Sequence, residues 1–109
     1  MRYALLTCDD GTVARTEADR ITSLRAFADR MGDRLISATR LRPATSATSV
    51  RVREGDVVIV DGPFAETKEQ IMGVLVVECA DLDEAIEAAA AIPTASYGTV
   101  EIRPVWELE

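Results

Sequence analysis

The carboxylates and the lysine between residues 61 and 68 are the first candidates for chemistry in this sequence. Asp61 ends an apolar run and precedes Gly62-Pro63, and Glu66 and Lys68, the only lysine, follow it closely. An aspartate in a pocket at a strand end can act as a general base, with Lys68 as proton donor or anion anchor. Alternatively, Asp61 fixes a turn by accepting backbone N–H bonds, and Glu66 and Lys68 belong to a solvated turn.

Five arginines on extended segments form a second group of candidates: Arg40, Arg42, Arg51, Arg53 and Arg103. The first two pairs each have a spacing of two, which places both members on one strand face. Such a cluster would bind a carboxylate or another small anion. The alternative, better suited to at least three of them, is that charged edge strands prevent strand pairing. We predict Arg40 and Arg103, with Phe64 and Glu66, as ligand-binding residues.

The composition argues against several kinds of site. Histidine is absent, which removes histidine-dependent nucleophiles and histidine-ligated zinc or haem. Two cysteines in one chain are too few for a zinc or iron–sulfur site. We therefore predict neither a metal nor a cofactor. Lys+Arg is 12 and Asp+Glu is 19, for a net charge of −7, and this argues against nucleic acid as a partner.

The two cysteines, Cys8 and Cys79, each end a predicted strand. We expect those strands to be adjacent and parallel, which would bring the two thiols together. A redox dithiol then requires Cα atoms within about 7 Å. The alternative is two buried and unreactive thiols.

The elements that position these residues follow from length, periodicity and turn residues. A chain of 109 residues suits one domain, 1–109. Thr16 with Asp19, and Asp81 with Glu84, resemble capping boxes at two helix starts. The pattern predicts strands at 2–8, 34–42, 50–53, 57–60, 71–79 and 99–108, helices at 16–31 and 81–92, and a helical turn at 65–70.

The order of these elements predicts an α+β fold. Without the inserted hairpin region 43–64, two strand–helix–strand units remain, which is the ferredoxin-like βαββαβ pattern with both helices on one sheet face. Segments 57–60 and 74–77 are nevertheless apolar on both faces. We therefore predict a homodimer in which a second copy packs its sheet against the uncovered face. Alternatively, region 43–64 folds back over that face.

The location is predicted from what the sequence lacks. No run approaches the about 20 apolar residues that cross a bilayer. The chain opens on a strand-like segment rather than on a leader with a cleavage site. We expect a cytoplasmic protein with no membrane partner.

The most distinctive motif is the eleven-residue stretch Val60–Gln70, VDGPFAETKEQ. It resembles the signature of the YCII-related family, in particular its DGPF-domain branch. Segments 1–6, 48–51, 80–93 and 98–105 resemble that family as well. The similarity therefore covers nearly the whole chain.

The resemblance implies a dimeric α+β barrel and leaves the activity open. Members resemble small enzymes related to muconolactone isomerase and to dehydrochlorinases, or companions of extracytoplasmic-function sigma factors. Some carry a His–Asp pair proposed as an active site, and this chain has no histidine. We favour a small-molecule-binding or accessory, regulatory homodimer, with a sigma factor as a candidate partner. The alternative is a cofactor-independent isomerase or lyase for a small oxygenated or aromatic acid, with Asp61 as general base and Lys68 or an arginine holding the acid group.

Overall fold

The structure is a computed structural model that describes residues 1–107. Its strands and helices follow the predicted order along the chain. They are β1 (Arg2–Asp9), α1 (Glu17–Met31), β2 (Leu35–Arg40), β3 (Thr48–Arg53), β4 (Asp56–Asp61), β5 (Gln70–Glu78), α2 (Leu82–Ala90) and β6 (Thr99–Pro104). The last strand is shorter than predicted, and residue 108 of that prediction lies outside the described residues. Neither helix has the length and apolarity needed to cross a bilayer.

The helix starts are set by local capping, as the sequence predicts. Thr16 Oγ1 accepts from the Asp19 amide at 3.0 Å, and Asp19 Oδ2 accepts from the Thr16 amide at 3.3 Å. At α2, Asp81 Oδ1 accepts from the Glu84 amide at 2.9 Å. The Glu84 side chain bonds the Ala80 amide rather than that of Asp81. At both helix starts, these side chains satisfy backbone amides that have no partner within the helix.

The main sheet is antiparallel, with strand order β2-β5-β1-β6. This mixed α+β arrangement is compatible with the predicted ferredoxin-like fold. Its core combines alternate strand residues such as Leu5 and Val77 with helix residues such as Phe27, Met31 and Ala88. The sheet face that carries Leu5 and Val77 is therefore the helix face.

The other sheet face, here called the open face, is apolar along its central strands. Ala4 pairs with Val76, and Leu6 pairs with Val74 across β1 and β5. These four side chains are only half-buried, whereas Leu5 between them is fully buried. The two helices thus cover one face, as the sequence pattern indicates.

The inserted hairpin does not cover the open face. Strands β3 and β4 form a separate two-stranded sheet. Every β4 residue is exposed, and so is every β3 residue except Ser49. A hairpin packed on another surface would bury one side of its alternating residues. The alternative in which region 43–64 folds back over the sheet is therefore wrong for the single chain.

The predicted pairing of the two cysteines is also wrong. Strands β1 and β5 run antiparallel, so Cys8 lies opposite Ile71, whereas the Cys79 amide bonds the Met1 carbonyl. The two residues lie at opposite ends of the sheet, about 23 Å apart at the usual rise along a strand. Both cysteines are free, and burial raises the pKa of both thiols. They are separate structural thiols within one chain.

Candidate functional site

The first residues of the signature segment close the base of the hairpin. Asp61 is the exposed last residue of β4. The Gly62 amide donates to the Ala47 carbonyl at 2.7 Å, and the Ser49 hydroxyl donates to the Gly62 carbonyl at 2.7 Å. Gly62 has φ +110°, a conformation that other residues rarely adopt. This part of the signature therefore has a structural role.

The rest of the signature is an irregular loop, and the predicted helical turn at 65–70 is wrong. The Gln70 side-chain amide donates to the Ala65 carbonyl and to the Thr67 carbonyl, both at 2.9 Å. These bonds satisfy the carbonyls in place of helical amides. Glu69 Oε2 accepts from the Thr99 hydroxyl at 2.9 Å, which ties the loop to β6. Gln70 was not among the candidate residues, since a glutamine has no local signature for this contact.

Phe64 lies on the wall of a groove, here called the signature groove, that the signature segment forms with the segment after β2. Its ring is 80% exposed, and the Arg51 guanidinium lies 5.5 Å from the ring centre, within cation–π range. The groove has a volume of about 580 Å³ and lies between segments 41–47 and 63–71. Its walls are mainly apolar, and it is open to solvent. Arg42 lines it, but so does Glu69, so the groove has no excess of positive charge for an anion.

Asp61, Glu66 and Lys68 do not line the signature groove, and all three are exposed. The charge of Lys68 acts on the loop that follows β1. Hydrogen bonds from Thr12 lower the pKa of Asp10 in that loop, and the positive charge of Lys68 adds to that effect.

The two arginines predicted to bind ligand occupy opposite faces of the main sheet. Arg103 is paired with Ala4 on the open face, and its Nη1 lies 3.3 Å from Glu101 Oε2. Arg40 is paired with Gly73 on the helix face. A single chain therefore does not bring the six predicted residues to one point.

Arg40 belongs instead to a crevice between α1 and the helix face, here called the α1–sheet crevice. Two adjoining cavities of about 130 and about 150 Å³ make up this crevice. Both are lined by Arg20, Arg40 and Thr94, with Leu24 and Leu75 as apolar walls. Arg15 and Ser23 complete one cavity, and Thr7, Asp9 and Gly73 belong to the other. The crevice thus combines cationic, hydroxyl and apolar walls.

The start of α1 holds these arginines in place. Arg15 Nη2 donates to the Ser23 hydroxyl at 2.6 Å and to the Asp19 carbonyl at 3.3 Å. Arg15 and Arg20 are both half-buried. Among residues 1–107, the Arg20 side chain makes no hydrogen bond or ion pair. It is therefore the cation of the crevice that is most available to a ligand.

Glu17 forms an ion pair with Arg40. Arg40 Nη1 bonds Glu17 Oε1 at 2.7 Å and Oε2 at 2.8 Å, and this contact lowers the pKa of Glu17. Asp9 adds a second carboxylate, already bonded by the Gly11 amide at 2.7 Å. Of the two carboxylates only Asp9 lines the crevice, whereas Glu17 holds Arg40 from beside it. The crevice has a positive balance in a chain whose net charge is −7.

Arg15 and Arg20 were not predicted, because only arginines on strands were considered as a cluster. The start of α1 carries Glu17 and Asp19 in its first turn, as the positive end of the helix macrodipole favours. Arg15 precedes the Thr16 cap and Arg20 follows the first turn, so no local pattern marks them. They meet Arg40 only through the packing of α1 on the sheet.

The described residues do not suggest a metal site. No group of three or more Cys, Asp or Glu side chains within residues 1–107 is arranged to hold a metal ion. What the crevice offers is hydrogen-bond donors with positive charge.

Comparison with known proteins places this small antiparallel α+β protein in a family. The model of the YCII-related domain matches residues 1–109, so the chain belongs to the YCII-related domain family, as its motifs predict. The chain is 36% identical over 114 residues to an uncharacterized protein of Rhizobium meliloti (strain 1021). That alignment covers 96% of this chain and 92% of the relative. Neither description names an activity, so a functional hypothesis has to come from the geometry.

Proposed function

We propose that this protein binds a small anionic molecule in the α1–sheet crevice, and that it does so as a homodimer. The observation that carries the proposal is the convergence of Arg15, Arg20 and Arg40 on one crevice. An acidic chain repels anions over most of its surface. A local excess of guanidinium groups therefore favours an anionic ligand at this point.

The chemistry of the walls narrows the class of ligand. A guanidinium group donates two parallel hydrogen bonds to a carboxylate or phosphate group. Thr7 and Thr94 contribute hydroxyls, while Leu24 and Leu75 provide apolar contact. Cavities of about 130 and about 150 Å³ are smaller than the pockets that hold drug-sized molecules. A carboxylate or phosphate compound with a short carbon skeleton suits them.

Glu17 provides a mechanism for exchange at this site. In the free protein its carboxylate satisfies Arg40, so the guanidinium is held in place before a ligand arrives. Both partners are largely exposed, with side chains 53% and 71% accessible, and exposed pairs contribute little stability. A ligand carboxylate can therefore replace Glu17 at low cost.

Arg40→Gln, with Arg25→Gln as its control, tests the proposal. Arg25 is an exposed residue of α1 that lines neither cavity of the crevice and lies off the open face. The native protein is titrated by calorimetry with inorganic phosphate and with acetate, succinate and benzoate. For the anion that binds best, Arg40→Gln should weaken binding about tenfold or more, because a charge-assisted bond is lost. Arg25→Gln should bind like the native protein.

Two results would contradict the proposal. The first is equal weakening by both substitutions, which would indicate a general charge effect. The second is the absence of binding by every anion of the panel at millimolar concentration. Repeating the titration at two salt concentrations separates local contacts from screened attraction.

The apolar open face supports the homodimer. Ala4, Leu6, Val74 and Val76 are central in the sheet yet only half-buried, and the hairpin of the same chain leaves them uncovered. Contiguous apolar patches on soluble proteins mark interaction surfaces. A second copy packed sheet to sheet would give the dimeric α+β barrel that the resemblance implies.

The observations favour binding over the alternative of catalysis by Asp61. A general base must reach the proton it removes within hydrogen-bond distance. Asp61 lies exposed at the hairpin base and lines neither the signature groove nor the α1–sheet crevice. An accessory role beside an extracytoplasmic-function sigma factor rests on the resemblance, and co-purification with such a factor would test it.

A further inference from the structure

The hairpin of β3 and β4, here called the arm, has one face that is apolar beyond its base, where Thr48 pairs with Asp61. Across the two strands, Val50 pairs with Ile59 and Val52 pairs with Val57. Their exposed fractions lie between 59% and 65%. These four residues, here called the arm face, form two stacked cross-strand pairs of β-branched side chains. Such pairs stabilise a sheet when a further layer covers them.

The opposite side of the arm is different in chemistry. There Arg51 pairs with Val58, and Arg53 pairs with Asp56. Arg51 also lies over the Phe64 ring. This side also carries the Ser49–Val60 pair, so it mixes charged, polar and apolar side chains. The arm face has no charged residue among its four side chains and is therefore the side better suited to a protein partner.

The size of the exposed surface shows how much a partner has to cover. The accessible surface is 7816 Å². A compact monomer of this mass exposes about 5,900 Å², which leaves an excess of about 1,900 Å². A standard interface buries about 800 Å² on each partner. The radius of gyration, 15.7 Å, likewise exceeds the about 13 Å of a compact chain of this length.

We propose that the arm face packs against the arm face of a second copy across a two-fold axis. An uncharged face of β-branched side chains is complementary to itself, as a two-fold interface requires. Two such faces stack about 10 Å apart, as in a β-sandwich. The charged sides, with Arg51 and Arg53, then remain outward. The inference rests on the homodimer proposed above and adds to it a second contact besides the open face.

Docking of the arm also gives the signature segment a role in assembly. Gly62 bonds Ala47 and Ser49 at the arm base, and Phe64 packs under Arg51. Fixing the arm on a second copy therefore fixes one wall of the signature groove. The two grooves of the dimer would flank the arm-to-arm contact.

The experiment compares Ile59→Asp with Val58→Asp by sedimentation velocity over a range of protein concentrations. The two residues are neighbours on β4, both exposed, but only Ile59 belongs to the arm face. Because the arm is exposed in the single chain, neither substitution disturbs the core, and circular dichroism verifies this. Ile59→Asp should raise the dimer dissociation constant about 100-fold or more, since it places a carboxylate in an apolar interface twice. Val58→Asp should sediment as the native dimer does.

The other outcomes overturn the inference in distinguishable ways. A dimer that is unaffected by Ile59→Asp excludes the arm contact and leaves the homodimer standing. Equal dissociation by both variants excludes the assigned face. A native protein that is monomeric at every concentration overturns the arm contact and the proposed homodimer together.

Discussion

At the level of single residues, the contact between Glu17 and Arg40 decides how the crevice meets a ligand. Both Glu17 oxygens bond the same guanidinium nitrogen, in the manner of a bound carboxylate. Glu17 therefore competes with any anion that approaches Arg40. The Glu17 side chain therefore has two effects: it holds Arg40 in position for a ligand, and it blocks Arg40 until a ligand displaces it.

Glu17→Gln should strengthen anion binding. Loss of the negative charge removes the competitor for Arg40, so we expect about two- to fivefold tighter binding. Glu87→Gln is the control, because Glu87 is exposed on α2 and lines neither cavity of the crevice. The measurement is calorimetric titration with the best anion of the panel. Weaker binding to Glu17→Gln would show that Glu17 contacts the ligand and does not compete with it.

The sequence could predict Arg40 but not its two partners. The alternating pattern of segment 34–42 places Arg40 on a strand, with its sequence neighbours on the opposite face of that strand. Whether that face meets α1 or solvent depends on sheet order, which is set by contacts distant in sequence. The same limit explains why Arg103, equally plausible from the sequence, lies on the other face.

At the level of secondary structure, the limits of the helices were the most predictable feature because caps are local. Thr16, Asp19 and Asp81 make the bonds that their spacing predicts. The loop at 65–70 was mispredicted, since the Gln70 side chain competes with helical hydrogen bonds there. The cysteine pairing failed for another reason. The α1 connection makes β1 parallel to β2, and the chain reverses between β2 and β5, so β1 and β5 run antiparallel.

The start of α2 gives a prediction about acid stability. Glu84 bonds the Ala80 amide and the Arg34 guanidinium, and these contacts lower its pKa, the amide bond contributing most. A carboxyl with a lowered pKa stabilises the folded state above its unfolded pKa. That stabilisation is lost as the pH falls through the lower, folded value. The native protein should therefore lose stability below about pH 4.5 in part through Glu84.

Glu84→Gln should flatten this acid dependence. The variant should be less stable than the native protein at pH 7, and the difference should shrink as the pH approaches 3. Glu87→Gln, an exposed substitution on the same helix, is the control. Urea denaturation at a series of pH values measures the effect. Parallel pH curves for native protein and Glu84→Gln would refute the assignment.

At the level of the whole molecule, the single chain buries few large side chains completely. Leu5 and Val77 are its largest fully buried side chains, while eleven of the exposed residues among 1–107 are valine or isoleucine. Small domains bury a small share of their surface and are marginally stable. The hydropathy pattern predicted this two-sided surface, but it could not show that the hairpin stands apart from the main sheet.

The stability of this protein should consequently depend on its concentration. If the folded state is a dimer, mass action makes the melting temperature rise with protein concentration, since dilution favours dissociation and unfolding. We expect a steady rise in Tm over a hundredfold range in concentration. Ile59→Asp should melt at a lower temperature and lose much of the concentration dependence, whereas Val58→Asp should retain it. A native Tm that is independent of concentration would mean that the single chain, despite its open face and its arm, is the stable folded unit.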